Sequence, residues 1–184
     1  MARPERIEGL AIVSADGMIA DAAGIQPPAL RLEADQRFFF ATAAKAGVLV
    51  HGRHSGDAGP EAKARPRIVL TRSVAGVGHD PTRERRVSWN PAGASLEQAW
   101  DMLGGRGSLM AIGGTEVFGL FLELGYDAFH LSRAGKARLP GGRPVFPGIP
   151  PRTPDELLAL HGLKPGPARL LDAAAELTLT TWSR

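Results

Sequence analysis

Four stretches of the chain combine residue types and spacings that could do chemistry. Asp35, Phe38, Phe39 and Thr42 fall at i, i+3, i+4 and i+7, which puts a carboxylate among aromatics on one helix face. Burial on such a face raises a carboxyl pKa and suits proton transfer. The plainer use of the same residue is as an acid in a helix's first turn, complementing the macrodipole. Gly113-Gly114 lies between the apolar run Leu109–Ile112 and a helical stripe of Val117, Phe118, Phe121 and Leu122. Two glycines let the backbone bend sharply and approach a ligand closely. The amides that open the following helix, expected from about Thr115 to Glu123, favour an anion such as a phosphate or pyrophosphate. Many strand–Gly-Gly–helix turns bind nothing, so this one takes its meaning from the other stretches. Gly52-Arg53-His54-Ser55 and Thr71-Arg72-Ser73 each end an apolar run in a cluster of donors. Arg53, His54 and Ser55 suit a phosphate, or else form an exposed polar turn.

The elements that must position these residues follow from periodicity and punctuation. Ile7–Ser14 reads as a first strand. Ala15–Pro28 is a long loop broken by Gly17, Gly24 and Pro27-Pro28, with an apolar Met18-Ile19-Ala20 segment suited to folding over a pocket. Leu32–Ala46 is a helix stopped by Gly47. Val48–His51 and Arg67–Thr71 are buried strands joined by a polar connection over Gly56–Pro66. Val74–Arg83 is loop and Val87–Trp89 a short strand. Ser95 and Gln98 form a capping box for a helix over Leu96–Leu103. Ala128–Ser132 is a further strand, Gly135–Pro151 is irregular, and Thr153-Pro154-Asp155-Glu156 opens a short helix ended by Gly162. Ala168–Leu171 and Glu176–Trp182 close the chain as a hairpin. Alternating strands and helices with terminal antiparallel structure define a three-layer α/β fold: a mostly parallel central sheet, an antiparallel edge and a C-terminal hairpin. In such sheets ligands sit beyond the carboxyl ends of the strands, so the three polar turns form one anion-binding rim if their strands are neighbours.

The length of 184 residues fits a single domain over 1–184. No apolar run is long enough to span a membrane, and the opening Met-Ala-Arg-Pro-Glu-Arg-Ile-Glu lacks a signal core, so a cytoplasmic location is expected. Absence of cysteine excludes disulfides, thiolate metal sites and a cysteine nucleophile. His51, His79, His130 and His161 lack metal-ligand spacing and read as structural or surface residues, so no metal is expected. The net charge is only +3, and no dense basic stripe surrounds Phe38-Phe39-Phe40, which argues against nucleic acid as a partner.

The collinear order of these pieces resembles the dihydrofolate reductase family and its riboflavin-pathway reductase relatives. The matching stretches are Ile12–Ile19, Leu32–Asp35, Val48–Ser55, Ile68–Ser73, Ile112–Phe118 and Val145–Pro147. The resemblance implies a dihydrofolate-reductase-like fold and an NADPH-dependent reductase acting on a pterin such as dihydrofolate. It makes Asp35 the acid that assists protonation. It puts Ile12 and Phe39 at the substrate, Arg65 at the arginine that clamps the folate carboxylate, and Ser132 at the residue supporting the acid. For the cofactor it implies Gly52, Arg53, His54 and Ser55 at the phosphates. Leu70, Thr71, Arg72 and Ser73 lie along the adenosine, and Gly113, Gly114, Thr115, Glu116 and Val117 around the pyrophosphate and nicotinamide. Ile19 reaches the nicotinamide from a mobile loop. A homodimer is compatible with the resemblance. Two departures point toward the broader reductase group: Gln26–Leu30 lacks the family's Pro-Trp pair, and Gly142–Pro147 reads Gly-Arg-Pro-Val-Phe-Pro. The alternatives are a phosphoribosylamino-uracil reductase of riboflavin biosynthesis, or a non-catalytic nucleotide-binding module. Because riboflavin-pathway reductases are often fused to a zinc deaminase for which this chain has no residues, the dihydrofolate-like substrate is the leading expectation.

Overall fold

A computed structural model describes residues 1–55 and 64–184. The expected elements recur with the same character. They are β1 (Ile7–Ser14), α1 (Glu33–Ala43), β3 (Val48–Gly52), β4 (Arg67–Leu70), β6 (Arg86–Trp89), α2 (Leu96–Leu103), β7 (Leu109–Ala111) and α3 (Thr115–Leu124). They are followed by β8 (Ala128–Ala134), α4 (Pro154–Leu160) and the hairpin β11 (Arg169–Asp172) and β12 (Leu177–Ser183). Most of the polar connection expected over 56–66 lies outside the described residues.

Four short strands add to this list. β2 (Met18–Ala20) and β9 (Arg143–Pro144) pair antiparallel into a small ribbon. β5 (Val77–His79) pairs with β6, and β10 (Lys164–Pro165) with β12. Three segments expected to be loop or irregular therefore contain strand: β2 and β9 because they find each other across the sequence, and β5 because the chain turns back on it as β6. α1 is also shorter than expected. Leu32 is extended rather than helical, and the last helical residue precedes an Ala44 cap. Gly47 then passes so close to the Arg106 carbonyl that a Cβ there would overlap it.

The sheet runs β10-β12-β8-β1-β7-β3-β4-β6-β5, with β11 beside β12. β8, β1, β7, β3, β4 and β6 are mutually parallel, and β12 and β5 close the two flanks antiparallel. Strand alternation sorts the core into two layers. Ala11, Val13, Val48, Val50, Ile68, Val87, Leu109, Ala111, Phe129 and Leu131 pack in one cluster with Trp100 of α2 and with Val117, Phe118 and Phe121 of α3. Leu10, Leu49 and Met110 pack with Ala43, Phe38 and Phe39 of α1. Gly9 is fixed by this packing, since a Cβ would meet the Phe129 ring at 2.3 Å. The capping boxes at Ser95/Gln98 and Thr153/Glu156 are both formed.

Phe118 joins strand and helix layers, making edge contacts with Phe129 and Phe146 at full burial. Phe118→Ala removes that ring from the cluster's centre. It is expected to lower the unfolding free energy by about 3–5 kcal/mol in urea titration, with little change in slope.

Candidate active site

The sheet order brings three turns together. β7 lies between β1 and β3, and β4 lies beside β3, all parallel. Their carboxyl ends therefore share one edge of the sheet. The chain winds outward from β3 through β4 to β6, then returns to insert β7 and continues to β8 on the far side of β1. This is a reversal of strand order, where α/β sheets open a crevice.

The rim is knitted by backbone bonds. Gly52 N–H donates to the Gly113 carbonyl (2.8 Å), and Ser55 N–H donates back to the Gly52 carbonyl (3.1 Å). A Cβ added at Gly113 or Gly114 would lie 3.8 or 3.6 Å from Ser55 Oγ. Gly113 also sits at φ +129°, a conformation for glycine alone. α3 starts directly at Gly114 with no side-chain cap, so its first amides stay open to a ligand. Arg53, His54, Arg72 and Ser73 are exposed around them. Thr71 Oγ1 accepts from Ser73 N–H (3.1 Å) and shapes the second turn. Arg72 reaches Glu116 at 3.7 Å across the rim, a fully exposed pair worth little to stability. Ile19 faces Gly114: a Cβ on that glycine would come within 3.9 Å of Ile19 Cδ1. Leu70 and Val117 pack beneath, in the core under α2 and α3.

The segment carrying Ile19 is held by several contacts. β2 pairs with β9, Val145 N–H donates to the Gly17 carbonyl (3.0 Å), and Thr115 Oγ donates to the Pro144 carbonyl. Asp16 accepts from Leu139 N–H at 3.0 and 3.1 Å and from the Ser14 hydroxyl. The loop expected to be mobile is thus built into a ribbon at this point, and the Ser14–Asp16 clamp was not read from the sequence. The only hint there was an Asp-Gly turn immediately after a strand.

On the α1 face, Ile12 of β1 and Ser132 of β8 stand opposite one another in register. Asp35, in the first turn of α1, is 7% exposed. Burial pushes its pKa above the usual carboxylate range, while the Ser132 hydroxyl opposes the shift by favouring the charged form. Ser132 Oγ is itself fully buried and closes no hydrogen bond among the described residues. Ser132 therefore lies close enough to favour the Asp35 carboxylate, and no other described group takes up its buried hydroxyl. Phe39 is half-buried against the Leu10, Leu49 and Met110 cluster, with Phe40 edge-on to it.

Arg65 departs from the role that the resemblance implies. Its guanidinium donates to the Ala43 and Ala44 carbonyls at 2.6 and 3.1 Å, closing the C-terminus of α1. Asp35 lies at the other end of the same helix, roughly 12 Å away at helical rise. Arg65 is therefore a helix cap, because four terminal carbonyls need donors and a guanidinium fork supplies them.

His51, expected to be a structural or surface residue, is buried beside this rim. Its Nδ1–H donates to the Gly52 carbonyl (2.7 Å), and its Nε2 meets Arg67 Nη1 at 3.0 Å. Burial, aided by the charges of Arg67 and Arg86, pulls its pKa down to about 4. A polar residue at the end of the apolar run Val48-Leu49-Val50 was its only sequence signal. Among the described residues no cluster of His, Asp or Glu could hold a metal ion, and no helix is long and apolar enough to cross a membrane.

No protein-family model matches this sequence, and no curated protein matches it. Solved structures do match the fold. One, described as a riboflavin biosynthesis protein from Shewanella sp. PV-4, aligns at TM-score 0.65 and 20% identity, covering 97% of this chain and 98% of its own. A pyrimidine reductase-like protein from Corynebacterium diphtheriae aligns at TM-score 0.66 and 15% identity, covering 97% of this chain and 91% of its own. A diaminohydroxyphosphoribosylaminopyrimidine deaminase/5-amino-6-(5-phosphoribosylamino)uracil reductase from Thermotoga maritima aligns at TM-score 0.63 and 16% identity, covering 98% of this chain but 56% of the larger one. The chain has the dihydrofolate-reductase-like fold, in the form that these riboflavin-pathway and pyrimidine-reductase-like structures take.

The raised pKa of Asp35 fixes the sign of a stability effect. The native state holds this proton more tightly than the unfolded chain does. The stabilisation is therefore complete below the ordinary carboxylate pKa and is lost as pH rises through the folded value. Asp35→Asn, which keeps the shape and removes the charge, is expected to raise the urea midpoint above neutral pH. The gain should vanish below about pH 3, where the aspartate is neutral in both the folded and the unfolded chain.

Proposed function

We propose that the chain is an NADPH-dependent reductase whose substrate is a phosphoribosylamino-pyrimidine. The observation that carries this reading is the buried Asp35 carboxyl, set against the buried Ser132 hydroxyl on the strand beside β1. The glycine-lined, donor-rich rim lies at the end of the same sheet. One side offers a proton and the other suits a dinucleotide.

The rim residues fit the cofactor. Gly113 and Gly114 leave space where side chains would intrude, and the uncapped start of α3 faces it with open amides. Arg53, His54 and Ser55 are the residues to hold its phosphates, and Arg53 carries the charge that favours a 2′-phosphate and hence NADPH over NADH. When bound, NADPH supplies a hydride. Ile19, set against Gly114 and backed by the buried Val117, would give the reacting ring an apolar surface that keeps water away.

Reduction of a ribosylamino group takes a hydride at the anomeric carbon and a proton on the ring oxygen that is released. Asp35 is the side chain to hold that proton, because burial keeps it protonated to higher pH than a surface carboxyl. Ser132 stabilises the carboxylate left behind, in line with its opposing effect on the Asp35 pKa.

Two features weigh against dihydrofolate. Gln26–Leu30 has no Trp, and the arginine aligned with the folate clamp is engaged at the far end of α1. Support for the pyrimidine comes from the similar structures, one described as pyrimidine reductase-like and one as a deaminase/5-amino-6-(5-phosphoribosylamino)uracil reductase.

The test follows NADPH oxidation by purified protein with phosphoribosylamino-uracil and with dihydrofolate. The pyrimidine is expected to win by about 100-fold or more in kcat/KM. Asp35→Asn is expected to lower kcat by about 10²–10⁴ while NADPH binding is kept. Faster turnover of dihydrofolate would reject the substrate, and undiminished turnover by the variant would reject the proton donor.

A further inference from the structure

His51 is a buried titratable residue that the proposed chemistry does not use. It is 3% exposed, and its two ring nitrogens make different bonds. Arg67 has only N–H groups to offer. The 3.0 Å contact between Arg67 Nη1 and His51 Nε2 therefore requires Nε2 to be the acceptor, and the ring proton sits on Nδ1. Nδ1–H then donates to the carbonyl of Gly52, at 2.7 Å. That carbonyl also receives Ser55 N–H at 3.1 Å, and the N–H of the same residue donates to Gly113 at 2.8 Å. Gly52 is thus the residue where the Arg53–His54–Ser55 turn and the Gly113-Gly114 turn meet, and the imidazole grips it from beneath.

We propose that His51 is a positioning residue for the cofactor: the Nδ1–H bond to the Gly52 carbonyl, held in that tautomer by Arg67, sets the phosphate-binding turn in the shape that receives NADPH. The inference rests on the cofactor reading above. Glycine at position 52 has no side chain to restrict it, so a turn that begins there is loose unless its peptide is held. A donor locked inside the sheet supplies that restraint without entering the site. A neutral ring is required, because a second proton on Nε2 would face Arg67, with Arg86 also close enough to oppose the charge.

The two bonds can be separated by substitution. Asn places an amide N–H where Nδ1 stands, keeping the Gly52 bond and giving up Arg67. Gln places its amide oxygen where Nε2 stands, keeping Arg67 and giving up Gly52. NADPH affinity is read directly by titration calorimetry on the wild type, His51→Asn and His51→Gln, with thermal unfolding as a check on folding. The assignment expects His51→Asn to bind within about threefold of wild type and His51→Gln about tenfold more weakly, the loss of one such bond. Bound at saturating NADPH, both variants are expected to keep kcat. In the wild type, imidazole nitrogen NMR shifts are expected to report the Nδ1–H tautomer and no titration around the ordinary histidine pKa. Equal affinity in all three proteins overturns the assignment, as does equal weakening in both variants. So does an Nε2–H tautomer, which remains decisive if a variant fails to fold. Failure of the wild type to bind NADPH would overturn the cofactor reading itself, and this inference with it.

Discussion

The site depends on one register. β7 slots between β1 and β3 in parallel, so that Val50 stands against Ala111 and the next residues of both strands leave the sheet side by side. From there a single backbone bond, Gly52 N–H to the Gly113 carbonyl, links two turns about sixty residues apart in the chain. Shifting β7 by one residue would turn Leu109 and Ala111 away from α3 and bring Met110 under it. The core on both faces therefore specifies the alignment that the rim needs. Phe118 and Phe121 on one side, with Leu10, Leu49 and Met110 on the other, enforce it.

The same register separates the two kinds of chemistry. Glycine, arginine and open amides collect at the exposed strand ends, a set of groups that suits an anion. The carboxyl lies on the covered face under α1, where burial favours its protonated form. Ile19 stands at the rim because the chain leaving β1 doubles back as β2 and is clamped through Asp16 to the backbone before β9. The rim and the acid are thus joined through β1, which pairs with β7 on one side and with β8, carrying Ser132, on the other.

Much of this was legible in the sequence where local physics decides. The capping boxes at Ser95 and Thr153, the apolar runs of β3, β4 and β7, and the Gly-Gly turn before an amphipathic helix each carry their own signal. Asp35 stood out because a carboxylate was out of place on an apolar stripe. Features that need a distant partner were not legible. β9 is two residues long and exists only because β2 lies beside it. Arg65 resembled a substrate clamp in alignment, yet its use was decided by the nearness of the α1 carbonyls. His51 read as a structural or surface residue because its proposed role lies in which nitrogen carries the proton, and Arg67, sixteen residues on, sets that.

The most direct test of the account is backbone amide NMR during titration with NADPH. If the strand ends form one cofactor rim, the amides of Gly52–Ser55, Thr71–Ser73 and Gly113–Val117 will shift together and saturate with a single affinity. The amides of β10 and β11 at the far flank will stay unmoved. Shifts confined to residues away from these three turns, or different affinities at each of them, would contradict it.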